Sequence, residues 1–218
     1  LALVPFSAEV EPRPVRLRAK MSSYQYTPEF LDVLHQFYGQ DGSQRNTDAL
    51  WQLEHVYYLE DMCRFITAYP FDPLSEALLH FVSRLREPFA LRFLHPLLTT
   101  YARSPRQLVA VIQAVGRIGS NTSGERLIPF LNTGYPEEVC SAAIIALGAI
   151  KWQRARPALR RCAYTARQPR LRMEAIYALA ELGSQNDIPF LTGMVEEDPD
   201  EDVRGAAART IAFLKMLY

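Results

Sequence analysis

Val139-Cys-Ser-Ala-Ala-Ile-Ile-Ala-Leu-Gly-Ala-Ile150 is followed, 32 residues further on, by Leu171-Arg-Met-Glu-Ala-Ile-Tyr-Ala-Leu-Ala-Glu-Leu182. After another 32 comes Val203-Arg-Gly-Ala-Ala-Ala-Arg-Thr-Ile-Ala-Phe-Leu214. A fourth copy lies upstream, with Ala114, Val115 and Ile118 in register with Ala146, Leu147 and Ile150. One column holds small residues (Ala114, Ala146, Ala178, then Thr210), and the next holds branched apolar ones (Val115, Leu147, Leu179, Ile211). Within each copy the apolar positions lie three and four apart, the period of an amphipathic helix.

Between the copies lie Ser123–Leu131, Gln153–Cys162 and Asn186–Met194, each with an apolar stripe and one proline: Pro129, Pro157 and Pro189. Proline belongs in an early helical turn, where its missing N–H costs least. Pro105, Pro136, Pro169 and Pro199 precede the copies, and Gly119 and Gly183 stand where a helix should stop. The unit reads as helix–turn–helix. Short helix pairs cannot bury their stripes alone, so the expected fold is an all-α α-solenoid of stacked pairs.

These residues resemble HEAT-like repeats of the short type first noted in phycobilisome lyases. The resemblance rests on Leu171-Arg172, Ala175, Ala178-Leu179, Leu182-Gly183 and Ile188-Pro189-Phe190-Leu191, with Asp202-Val203-Arg204, Ala207, Ile211 and Leu214 as the partner copy. It covers residues 96–218. Arg170 stands where the family has an acid before the Val-Arg pair, and Cys140 where it has the arginine. The resemblance implies that Arg172 and Arg204 bridge neighbouring repeats to loop acids. It also implies that the helix of the repeated copy lines the concave side.

The segment 27–95 reads as a helical N-terminal cap that repeats poorly. Thr27-Pro28-Glu29 starts one helix, Gly39–Asn46 is a polar loop, and Thr47 is expected to cap a longer helix reaching Ala68. Of the 24 aromatic residues, 16 fall in the first 101, and large side chains suit the sealing of an open solenoid end. Residues 1–26 show no helical period and read as an extended arm. Leu1-Ala-Leu-Val-Pro-Phe6 is compatible with the tail of a preceding membrane anchor, and the basic residues after it would then keep the domain cytoplasmic.

With 218 residues, 49% hydrophobic and 22% charged, the chain is long enough for a sizeable core and not disordered. Lys+Arg and Asp+Glu balance at 24 each, which argues against a dedicated nucleic-acid binder. No apolar run reaches the ~18 residues of a membrane span. Three cysteines without CxxC spacing suit a reducing compartment. No GxSxG, HExxH or GxxxxGK[ST] occurs, and His35, His55, His80 and His95 are scattered over separate helices, so no metal and no cofactor is expected.

Two charge blocks remain. Lys151, Arg154, Arg156, Arg160, Arg161, Arg167, Arg170 and Arg172 form a basic ridge over 151–172, and six acids lie between Glu196 and Asp202. Either the two blocks neutralise each other across adjacent loops, or the ridge, Arg156, Arg160 and Arg161 above all, meets an acidic partner. The other candidate surface is the exposed strip of the repeated helix: Ser141, Ile144, Ile145 and Gly148 in one copy, then Met173, Ile176, Tyr177 and Ala180, extended by Ile112, Arg209 and Phe213. A contiguous apolar patch marks an interaction site. The expectation is a non-catalytic scaffold with a protein partner on its concave face. The alternatives are a HEAT-like enzyme, of bilin-lyase or DNA-glycosylase type, or a nucleic-acid binder using the ridge beside Trp152.

Overall fold

The computed structural model describes residues 26–38, 46–132 and 134–217. The N-terminal arm, the polar loop of 39–45 and any upstream anchor lie outside the described residues. Among the described residues there is no strand, and no helix is long and apolar enough to cross a membrane. The helices are α1 (Pro28–Tyr38), α2 (Leu59–Ala68), α3 (Pro73–Leu85), α4 (Leu91–Thr100), α5 (Pro105–Ile118), α6 (Gly124–Leu127), α7 (Glu137–Ile150), α8 (Arg156–Thr165), α9 (Pro169–Leu182), α10 (Ile188–Glu197) and α11 (Glu201–Met216). The fold is an all-α solenoid.

The 32-residue period is written into the turns as well as the helices. Short 3-10 turns at Asn121–Ser123, Gln153–Ala155 and Gln185–Asp187 lead into α6, α8 and α10. Ser120 and Ser184 cap the outer two, each accepting from the N–H two residues on. Trp152 takes the same place in the middle turn, and its ring lies on the backbone of Gly124, where a Cβ would come within 2.2 Å of it. The helices before these turns, and α3 ahead of them, end in the left-handed region at Arg86, Gly119, Lys151 and Gly183.

Packing shifts the phase of the repeat. α8 lies along the helix that follows it, α9, and α10 lies along α11, so each compact pair is a short helix and the next long one. The long helices α5, α7, α9 and α11 then stack on one another, and α3 stacks on α5 in the same way. One continuous apolar core runs from Tyr26 to Leu214.

Thr47 does not begin a long helix. Asn46 caps a 3-10 helix over Thr47–Leu53 instead, and the chain breaks at His55, which is extended (φ −147°, ψ 142°). The His55 ring accepts from the Tyr57 N–H and restarts the chain into α2. Aromatics fill this end: Tyr26 stacks on Phe30, Phe30 meets Phe65 edge-on, and Phe71 meets Tyr101, whose hydroxyl donates to the carbonyl of Pro70. Asp61, buried, accepts from the N–H (3.1 Å) and hydroxyl (2.6 Å) of Thr27 and so fixes the start of α1.

Candidate protein-interaction surface

The surface begins with two glycines. A Cβ on Gly116 would stand 2.7 Å from Ala146 Cβ, and one on Gly148 would stand 3.1 Å from Ala178 Cα and Cβ. The first is closer than real Cβ atoms come and the second is tighter than most, so α5, α7 and α9 are packed nearly backbone to backbone. The short helices α8 and α10 touch each other far less than the long helices do. A stack whose long-helix layer is drawn tighter than its short-helix layer curves with the long helices inside. Their exposed residues therefore line the concave face.

Beyond the first turn, exposed positions four apart recur on each long helix: Gln113 and Arg117 on α5, Ile145 and Ala149 on α7, Tyr177 and Glu181 on α9, Arg209 and Phe213 on α11, the terminal helix, which also exposes Ala208, Ala212, Lys215 and Met216. Positions four apart share one side of a helix. The strip is thus two parallel columns at the repeat period, Gln113–Ile145–Tyr177–Arg209 and Arg117–Ala149–Glu181–Phe213. Ile145 is 57% exposed, Tyr177 44% and Phe213 43%. Arg209 donates to the Tyr177 hydroxyl at 3.1 Å, linking two repeats across the face.

Several expected strip residues are elsewhere. Ile144 and Ile176 are fully buried, as are Ile112, Ser141 and Gly148, because this flank of each long helix is covered by the next repeat. Met173 is half-buried against the core. Sequence reading admitted a strip three or four residues wide; the close stacking leaves it two wide. Gln113, Arg117, Ala149 and Glu181 were missed, although the same 32-residue step from Ile145 and Phe213 leads to them.

The basic ridge is largely neutralised within the fold. Arg156 Nε (3.1 Å) and Arg160 Nε (2.7 Å) both donate to Asp187, whose side chain is fully buried, and Arg160 also lies over the Phe190 ring. Arg156 and Arg160 are thus half-buried and paired within the chain, with an acid outside the 196–202 block. They clamp α8 to the turn before α10. Arg170 pairs with Glu174, and Lys151 with Glu181. Arg161 stays exposed, as do Arg154 and Arg167. Trp152 is half-buried, with its ring laid on Gly124.

Arg172 donates Nε to Asp198 Oδ2 and Nη2 to Oδ1, both at 2.8 Å, and Nη1 to the carbonyls of Ala166 and Arg167. Arg204 donates to the carbonyl of Asp198. Burial alone would raise the Asp198 pKa. The Arg172 hydrogen bonds, the Asp200 N–H and the charges of Arg172 and Arg204 outweigh it and hold the carboxyl below its usual value.

Other reactive groups are built into the packing. His95 shares a 2.9 Å hydrogen bond with Ser123, but Ser123 is fully buried, and the pair latches α4 to the turn before α6. Burial, with Arg126 nearby, lowers the His95 pKa. Cys63, Cys140 and Cys162 are buried free thiols. Burial pushes Cys63 up to about 12 and Cys162 to about 11, which keeps them protonated and unreactive at neutral pH. Among the described residues, no group of three or more His, Cys, Asp or Glu side chains is placed to hold a metal ion.

The concave face also carries a groove of about 460 Å³ between the ends of α3, α5 and α7. Arg86, Gln113, Arg117, Ala142, Ile145 and Ala149 line it, with Gly116 and Ala146 at the close approach of the two helices.

Residues 124–212, from α6 into α11, match the family model for HEAT repeats. No curated protein matches the sequence. Among solved structures, the fold is similar to that in the complex of CpcE and CpcF of phycocyanin lyase from Nostoc sp. PCC7120. The TM-score is 0.57 at 19% identity, over 72% of this chain and 99% of that one. The stacked pairs over residues 124–212 are HEAT-like repeats.

Proposed function

We propose that this chain is a non-catalytic scaffold that holds a protein partner on its concave face. The observation that carries the reading is the pair of exposed columns on α5, α7, α9 and α11, with Ile145 and Tyr177 one repeat apart in one column and Phe213 in the other. Exposed apolar side chains aligned over several repeats make a continuous docking strip. Tyr177 adds a polar tip to an apolar ring, a combination enriched at protein interfaces. The similar solved structure belongs to a complex of two chains, which is in keeping with a partner-binding role.

The test starts from the partner recovered with the full chain from its native host. Ile145→Glu combined with Tyr177→Glu is expected to weaken that complex at least tenfold while the circular dichroism and melting temperature hold. Normal binding by the folded double variant would remove the concave strip from consideration.

A lyase-type enzyme is the second reading, favoured by the likeness to the phycocyanin lyase complex. Bilin transfer by the purified chain, alone or with its partner, would favour it over the scaffold.

A further inference from the structure

The groove at the ends of α3, α5 and α7 has a chemistry that the rest of the strip lacks. Its lining residues include two arginines and no acid. Among the described residues neither Arg86 nor Arg117 has a carboxylate partner, whereas Arg84 pairs with Glu54 and Arg106 with Glu76 nearby. Arg117 is held toward the end of α3 by donating Nη1 to Ser83 at 3.3 Å, and Arg86, which closes α3, lines the same end of the groove. The other wall is apolar, made by Ala142, Ile145 and Ala149.

The backbone at Arg86 adds a second observation. Arg86 closes α3 at φ 54°, in the left-handed region. At the equivalent ends of α5 and α9 the residue is glycine, which adopts that conformation freely, and at the end of α7 it is Lys151 at φ 56°. Arg86 leaves this turn as part of the groove lining.

We propose that this groove takes an acidic segment of the protein partner, with a carboxylate set between Arg86 and Arg117 and a neighbouring apolar side chain laid on Ile145 and the two alanines. The inference rests on the scaffold reading above and deepens it. Charge complementarity commits the occupant: a basic or neutral segment would leave two guanidinium groups facing it without a counter-ion. The planar, forked donors of arginine suit a carboxylate in particular. Ile145 belongs both to the groove and to the exposed strip, so a segment seated here continues along the concave face toward Tyr177.

The test selects displayed heptapeptides on the intact chain and measures the winners in solution. Selected peptides are expected to place Asp or Glu beside Leu, Ile or Phe. Arg86→Glu with Arg117→Glu should weaken them at least tenfold, and Arg161→Glu with Arg167→Glu should not. Arg86→Gly is the variant that separates binding from folding: it should lose affinity while the melting temperature stays level or rises. Selection of basic peptides, no selectable binder, or binding indifferent to both groove arginines would overturn the proposal. Salt-sensitive binding of a single-stranded oligonucleotide through the same two arginines, with no peptide selected, would overturn it in favour of nucleic acid. If the native partner requires Ile145 and Tyr177 but ignores Arg86 and Arg117, this inference fails and the scaffold reading stands.

Discussion

Arg172 on α9 and Asp198, just after α10, form a two-armed ion pair with both N–O distances at 2.8 Å, and both side chains are buried. The pair is close to fully satisfied: Nη1 goes to two carbonyls behind α8, and Asp198 Oδ1 also accepts from the Asp200 N–H. It ties the first turn of one long helix to the loop that launches the next. Removing one partner leaves the other charge buried and alone, which costs about 3–5 kcal/mol. Arg172→Ala is therefore expected to lower the urea midpoint sharply, and the double change Arg172→Leu with Asp198→Leu to recover much of the loss. Equal damage from both would mean that the arginine acts through packing and not through charge.

Acid should destabilise the fold in two windows. His95 has a lowered pKa in the folded chain, so the unfolded chain binds its proton first, at about 6.5. Stability then falls as the pH drops below that value. The Asp198 pKa is also lowered, so its contribution is complete above roughly 4 and disappears as the pH falls through the folded value. Urea titrations between pH 7.5 and 3 should show both declines. His95→Gln, which keeps a hydrogen-bonding group for Ser123, should flatten only the upper one; an unaltered upper slope would assign it to another group.

The two glycines on the concave layer should tolerate nothing larger. A methyl at Gly116 meets the backbone of Ala146 at 2.9 Å, and that backbone cannot swing aside as a flexible side chain can. Overpacking a close contact costs about 1–3 kcal/mol. Gly116→Ala and Ala178→Leu should each lower the melting temperature by several degrees. A wild-type melt for both would mean that the repeats are spaced more widely than the structure has them.

Gly124 is a separate case, because its neighbour is a ring. A Cβ there overlaps Trp152 at 2.2–2.6 Å, so Gly124→Ala must expel the indole from its half-buried seat. The expected readout is a red-shifted tryptophan emission together with a lower melting temperature. Trp152→Ala combined with Gly124→Ala should cost little more than Trp152→Ala alone.

Reversal of the basic ridge should split by residue. Arg156→Glu with Arg160→Glu puts two carboxylates against the buried Asp187 and should destabilise by about 3 kcal/mol or more. Arg161→Glu, on the exposed side of α8, should stay within about 0.5 kcal/mol of wild type. Chemical denaturation of the two variants side by side decides it, and equal stability would mean that Asp187 does not depend on the clamp.

The sequence by itself determined the helices of the repeated half, their 32-residue period and the solenoid, because a stripe at helical spacing repeated in register leaves a chain little else to do with its apolar surface. It also carried the turn chemistry, in the prolines and in Gly119 and Gly183. What it left open was which flank of each long helix meets solvent. Ile144 and Ile145 are adjacent, equally apolar and on similar turns, yet one is fully buried and the other is 57% exposed. That difference comes from the distance between repeats, set by Gly116 against Ala146 and Gly148 against Ala178, which no periodicity within one helix encodes. Charge behaved in the same way. Arg156, Arg160 and Arg161 are alike as letters, and only the folding of Asp187 into the joint beneath α8 turns two of them into a clamp and leaves the third in water. The groove between Arg86, Arg117 and Ile145 draws on three helices far apart in the chain, so it exists only once the stack has formed.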